Sequence, residues 1–223
     1  MKAPNEETAS RIAVFVSGGG TNLQALIDAQ SSGVLRSGKI CLVFSNNPDA
    51  FALKRAASSD ISVKVISKRD VESEEEFDTK LLKTLEHYSI DMIVLAGYLR
   101  ILSADFIKNF GGKIINVHPS LIPAFCGKGM YGLKVHQAAL ARGVKVTGAT
   151  VHYVNEIPDG GEIILQKSVA ISKVDTHETL QQRVMKNAEW EILPRATEMV
   201  AREIFVQKKE KRKEKKRVQT PEE

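Results

Sequence analysis

Met92-Ile93-Val94-Leu95-Ala96 is an unbroken apolar run between Asp91 and Gly97. A strand with one wet face alternates apolar and polar residues. A run without alternation suits a strand covered on both faces, as in a parallel sheet. Further strand-like runs stand at Ile12–Val16, Ile40–Phe44, Val63–Ile66 and Lys113–Asn116. Helical spacings separate them. Leu23, Ala25, Leu26 and Ile27 support one helix, with Thr21 or Asn22 near its cap. Ala50–Ser58 reads as a second. Phe77, Leu81, Leu82 and Leu85 mark a third, with Glu74–Glu76 in its first turn, where the helix dipole favours anions. Phe106 and Ile107 belong to a short fourth. Strands and helices alternating in this way predict one α/β domain: a mainly parallel twisted sheet with helices on both faces.

The pattern changes after Asn116. Leu121–Gly132 is a loop rich in glycine and proline, and Leu133–Ala141 reads as a helix. Ala149–Val154 and Ile163–Ala170 are strand-like with no helix between them. They are predicted to pair antiparallel through Ile157-Pro158-Asp159-Gly160-Gly161-Glu162. Thr176–Phe205 reads as one long closing helix, bent at Pro194. Residues 1–9 are expected to be disordered, 10–206 to form the domain, and 207–223 to be a basic tail, disordered or helical.

Composition narrows the function classes. A chain of 223 residues that is 43% hydrophobic can bury a sizeable core. No stretch is apolar over the roughly 20 residues that a membrane helix needs. Residues 1–7 lack the apolar centre of a secretory signal. Cys41 and Cys126 make no disulfide framework. Cys41 reads as a small core residue and Cys126 as a loop residue, and a reducing cytoplasm is the expected compartment. Eight cations against four anions from 207 to 223 carry +4 of the overall +5. The basic character is therefore expected in the tail, not on a folded face.

Two loops carry chemistry. Ser17-Gly18-Gly19-Gly20-Thr21-Asn22 joins the first strand to the first helix. Its glycines allow a tight turn that presents backbone N–H groups at a helix start, a phosphate cradle. It lacks a P-loop lysine, and Ser45-Asn46 stands where an acid would hold a dinucleotide ribose. In the second loop, Asn116 and His118 lie two apart and share one side of a strand end. An amide there can meet an oxyanion while an imidazole moves protons. Asp159 would raise the imidazole pKa and fix its tautomer, if the fold brings it near. An isolated Asn-x-His triplet or Asp-Gly turn is ordinary; their conjunction is what carries weight. His87, His118, His136, His152 and His177 show no tight ligand spacing, so no metal is expected.

Five segments in one order, Ser17–Gln24, Val43–Asn46, Val94–Ser103, Asn116–Pro123 and Thr147–Gly161, together resemble the folate-dependent formyltransferase family. Within it they look most like the phosphoribosylglycinamide formyltransferases. The resemblance runs from about Arg11 to Phe205 and implies a Rossmann-like formyltransferase domain. It implies transfer of a formyl group from 10-formyltetrahydrofolate, as co-substrate, to the amine of glycinamide ribonucleotide in purine biosynthesis. Asn116, His118 and Asp159 would be catalytic. Gly20, Thr21 and Asn22 would hold the substrate phosphate, and Glu189 its amine. Leu99, Arg100, Ile101 and Leu102 would form one wall of the folate pocket. Asn155, Glu156, Ile157, Pro158 and Asp159 would form the other, with Asn116 also against the folate. The expected assembly is a monomer or homodimer.

This chain departs from the resembled pattern in three places. It has one extra position between Arg183-Val184 and Glu189-Trp190. The loop Ala124–Gly132 is longer than in some members and is expected to cover the site as a lid, with neither Lys128 nor His136 assigned as a substrate contact. Glu74 stands where some members place an arginine, so contacts to the folate tail are expected to differ.

Other readings are weaker. A formyl-folate hydrolase is expected to carry an N-terminal regulatory domain, and a methionyl-tRNA formyltransferase a C-terminal domain with a basic surface. A nucleic-acid module using Lys208–Arg217 would want stacking aromatics, which that run lacks. A folate-binding protein without activity is disfavoured by the intact Asn116, His118 and Asp159.

Overall fold

The Met92–Ala96 run becomes β4 (Met92–Leu95), every residue of it buried near the centre of a seven-stranded sheet. The computed structural model describes residues 9–218. Residues 1–8 and 219–223, where the expected N-terminal disorder and the end of the tail fall, lie outside it. The strands are β1 (Ser10–Val16), β2 (Gly38–Ser45), β3 (Ser62–Val65), β4, β5 (Lys113–His118), β6 (Val146–Tyr153) and β7 (Ile163–Ala170). Their order is β3-β2-β1-β4-β5-β6-β7. The first five are parallel, β6 runs antiparallel to β5, and β7 runs antiparallel to β6. The hairpin expected at Asp159 is therefore present.

The helices are α1 (Thr21–Ser31), α2 (Phe51–Ala57), α3 (Glu74–His87), α4 (Ala104–Phe110), α5 (Leu133–Arg142), α6 (His177–Val184) and α7 (Trp190–Val218). Side chains that alternate along β1 enter two cores. Ile12, Val14 and Val16 pack with Leu23 and Leu26 of α1 and with Leu193 and Val200 of α7. Ala13 and Phe15 pack on the other face with Phe77, Leu81 and Leu85 of α3. This two-sided burial is why the central strands read as continuous apolar runs.

Three expectations are corrected. Cys41 is half-buried, not a core residue. Ile12 pairs with Ile40 and Ala13 with Leu42, so Cys41 is the extra residue of a β-bulge and leaves the alternation. Neither Thr21 nor Asn22 caps α1. The N-cap is Gly20, at φ 73°, with no side-chain hydrogen bond. The closing segment is not one element, and Pro194 lies inside its last part, α7. Its irregularity lies at Met185–Glu189, a π-helical segment where Trp190 N–H reaches the Met185 carbonyl. A π segment is the usual way for a helix to absorb one extra residue. Beyond Phe205, α7 continues to Val218. Among the described residues no helix is long and apolar enough to cross a membrane.

Candidate functional site

Strand order reverses direction between β1 and β4, and open α/β sheets bind ligands outside the strand carboxyl ends at such a point. Ser17, just past β1, donates its N–H to the Gly97 carbonyl past β4 (3.2 Å), and its hydroxyl accepts from Leu99 N–H (3.0 Å). Above this junction lies a cavity of about 420 Å³. It is lined by every site residue predicted from the sequence: Gly20, Thr21, Asn22, Leu99, Arg100, Ile101, Leu102, Asn116, His118, Asn155, Glu156, Ile157, Pro158, Asp159 and Glu189. Segments far apart in the chain thus meet in one chamber of ordinary ligand size.

At one end, the uncapped start of α1 leaves its first N–H groups without side-chain partners, which suits an anion. Gly20 is required there. A Cβ on it would lie 2.6 Å from Ala52 Cβ, and its φ is left-handed. Asn22 turns away from the cap and donates to Glu189 Oε2 at 2.6 Å. Glu189 is buried, and burial outweighs that hydrogen bond, so its pKa rises to about 7. Gln181, Met185 and Glu189 all line the cavity. On a straight α-helix two steps of four residues would drift by about 80°. The wider π turn cancels that drift and keeps Glu189 facing inward.

At the other end, Asn116 and His152 sit directly opposite on β5 and β6. His152 Nδ1 faces the Tyr153 carbonyl at 2.8 Å, which can only accept, so Nδ1 carries the proton. Nε2 then accepts from Asn116 Nδ2 at 3.2 Å. This fixes which end of the amide faces the ring and leaves the second amide hydrogen without a partner among the described residues. His118, 4% exposed, places Nε2 2.9 Å from the Phe125 carbonyl and Nδ1 3.4 Å from Asp159 Oδ2. Asp159 Oδ1 lies 3.5 Å from His152 Nε2, and Gly127 N–H donates to Asp159 Oδ2 at 2.8 Å. The carboxylate bridges the two histidines.

The net shift of the His118 pKa is downward, because burial is the largest influence, while the Asp159 carboxylate raises it as expected and the Phe125 carbonyl raises it too. Burial pushes the Asp159 pKa up, but the neighbouring His152 and His118 and the Gly127 N–H win, and the net shift is downward.

His152 had no role assigned from sequence. Its signal was the alternation Thr150, His152 on a strand predicted to pair with others, and only the register places it across from Asn116. His136 is 1% exposed, lines the cavity, and has no hydrogen-bond partner on either ring nitrogen among the described residues. Burial is the main reason its pKa falls to about 4. Lys128 also lines the cavity. Arg100 lies 3.8 Å over the Phe77 ring and pairs with Glu74 at 3.2 Å, which offsets the cation of that wall. Among the described residues no group of three or more His, Cys, Asp or Glu could hold a metal.

Residues 10–197 match the family model described as formyl transferase. The chain belongs to the formyl transferase family. It is 41% identical over 184 residues to a phosphoribosylglycinamide formyltransferase of Haemophilus influenzae, covering 82% of this chain and 84% of that one. It is 43% identical over 196 residues to the human trifunctional purine biosynthetic protein adenosine-3, covering 88% of this chain. The formyl transferase chain spans only 19% of that human protein's length. Among solved structures, glycinamide ribonucleotide transformylase 1 from Symbiobacterium toebii superposes with a TM-score of 0.81 at 36% identity. That match covers 91% of this chain and 93% of that one. Formyl transferase membership accounts for the mostly parallel sheet and for the cavity at its carboxyl edge.

Proposed function

We propose that this chain transfers the formyl group of 10-formyltetrahydrofolate to the amine of 5′-phosphoribosylglycinamide in purine biosynthesis. The observation that carries the reading is a single cavity joining an uncapped helix start to the Asn116–His152 and His118–Asp159 pairs. The helix start suits a phosphate, and the paired groups suit acyl transfer. Relatives named for this activity support it.

The phosphate rests on Gly20, Thr21 and Asn22, and Glu189 receives the amine end of the acceptor. The pterin lies between Leu99–Leu102 and Asn155–Asp159. The neutral amine attacks the formyl carbon, and the carbonyl π pair moves to oxygen. The second N–H of Asn116 meets that oxyanion, held in direction by His152. The ammonium proton leaves to the His118–Asp159 pair. The oxyanion pair then re-forms the carbonyl, the C–N10 bonding pair leaves with N10, and His118 returns the proton to N10. The formyl group is already activated, so the step calls for no metal. The free cysteines suit the reducing cytoplasm proposed as its compartment.

The test is tetrahydrofolate release from 10-formyltetrahydrofolate with and without glycinamide ribonucleotide. The reading expects turnover only with acceptor. Formate release without acceptor, or no turnover by folded protein, overturns it.

A further inference from the structure

The loop Ala124–Gly132 does more at its base than border the cavity. Phe125 has φ 52°, which non-glycine residues seldom adopt, and Gly127 has φ 89°. These two left-handed residues bracket Cys126 and turn two backbone groups toward the same pair of side chains. The Phe125 carbonyl accepts from His118 Nε2 at 2.9 Å, and Gly127 N–H donates to Asp159 Oδ2 at 2.8 Å. The turn is itself anchored: Ser120 hydroxyl donates to the Ala124 carbonyl at 2.5 Å, and Met130 N–H to the Gly127 carbonyl at 3.0 Å. Held strain of this kind is retained where surrounding structure fixes a functional geometry.

We propose that the Phe125–Gly127 turn is a positioning element of the centre, holding His118 and Asp159 as one unit through a backbone carbonyl and a backbone N–H. The inference rests on the proposed formyl transfer. The Phe125 carbonyl can only accept, so it keeps a proton on Nε2 of His118. Nδ1 is then the nitrogen that gains and loses the mobile proton beside Asp159. A turn that merely blocked the imidazole would have no use for the second bond to Asp159. Sequence reading could not find this element, because the groups that act are backbone and leave no residue-type signature.

The experiment compares Phe125→Pro with Phe125→Gly. Phe125 N–H makes no hydrogen bond among the described residues. Proline therefore acts through φ, which it fixes near −65° and far from the native value. Glycine keeps the native φ at little strain while removing the ring. The groups facing His118 are Asp159, His152, His136 and the Phe125 carbonyl. Losing that carbonyl moves the His118 titration to lower pH, since it favours the protonated ring. In Phe125→Pro, kcat falls at least about tenfold and the His118 limb of its pH profile moves to lower pH. KM for both substrates and the affinity for tetrahydrofolate stay within about threefold, because the walls are intact. Phe125→Gly loses at least about threefold less kcat than Phe125→Pro and leaves the limb nearer its wild-type position. Wild-type kcat and limb in Phe125→Pro overturn the proposal, as does equal loss in both variants, which would assign the effect to the ring. Wild-type protein without turnover would instead sink the functional reading. The His118 titration followed by imidazole NMR in the same variants still decides the positioning role.

Discussion

Asn116 donates its amide to His152 across the β5–β6 pair, 3.2 Å from nitrogen to nitrogen, and the Tyr153 carbonyl dictates that the ring accepts. An amide that could rotate is fixed by a histidine that never touches the reacting carbon. His152→Leu frees that rotation and also withdraws a neighbour from Asp159. We expect kcat to fall by about tenfold to a hundredfold, less than loss of an oxyanion donor itself, with KM for folate little changed. Wild-type kcat in a folded His152→Leu would show that the amide needs no such support.

Glu189 predicts a trade between stability and function. Its folded pKa, about 7, lies above the ordinary 4.5, so the folded state binds the extra proton between these values. Stability from this group is full below about pH 4.5 and is lost as pH rises through 7. Glu189→Gln keeps a hydrogen-bonding partner for Asn22 and removes the buried charge. At pH 8 the variant should be more stable, by up to about 3 kcal/mol, while KM for the amine substrate rises. Near pH 4.5 the two proteins should melt alike. Chemical denaturation at both pH values checks this, and a variant destabilised at pH 8 would contradict it.

The π segment predicts a silent deletion. Removing exposed Lys186 should let Met185–Glu189 close into ordinary α-helix, and the glutamate then follows Gln181 at seven residues, still on the same face. We expect unchanged acceptor KM and a melting temperature no lower than wild type. Loss of activity in a folded deletion variant would mean that the wide turn itself is needed.

Gly20→Ala tests the cradle. The added Cβ meets Ala52 at 2.6 Å and the φ of 73° disfavours any side chain. A destabilisation of about 1–3 kcal/mol is expected. KM for the phosphorylated acceptor should rise, with KM for folate unaffected. Equal rises in both would place the phosphate elsewhere.

Much of this was legible because period and punctuation are local. Met92–Ala96 announced a strand covered on both faces, and the residues of the Asn116–His118 and Asp159 loops were in view before their meeting was. What stayed hidden depends on partners distant in the chain. Cys41 looked like core because its bulge exists only against Ile12 and Ala13. His152 looked ordinary until the register set it across from Asn116. The net direction of the His118 shift was not legible because a motif shows the nearby carboxylate but not the burial that outweighs it.

The central claim is that Asn116, His118 and Asp159 act as a unit on one transferring formyl group. The direct measurement is single-turnover transfer by Asn116→Ala, His118→Ala, Asp159→Asn and the paired variants. Groups that share one step are strongly non-additive. Each single change should lower the rate by about 10²–10⁴-fold, and a second change should add little. Independent, multiplying losses, or a single variant with wild-type rate, would contradict the account.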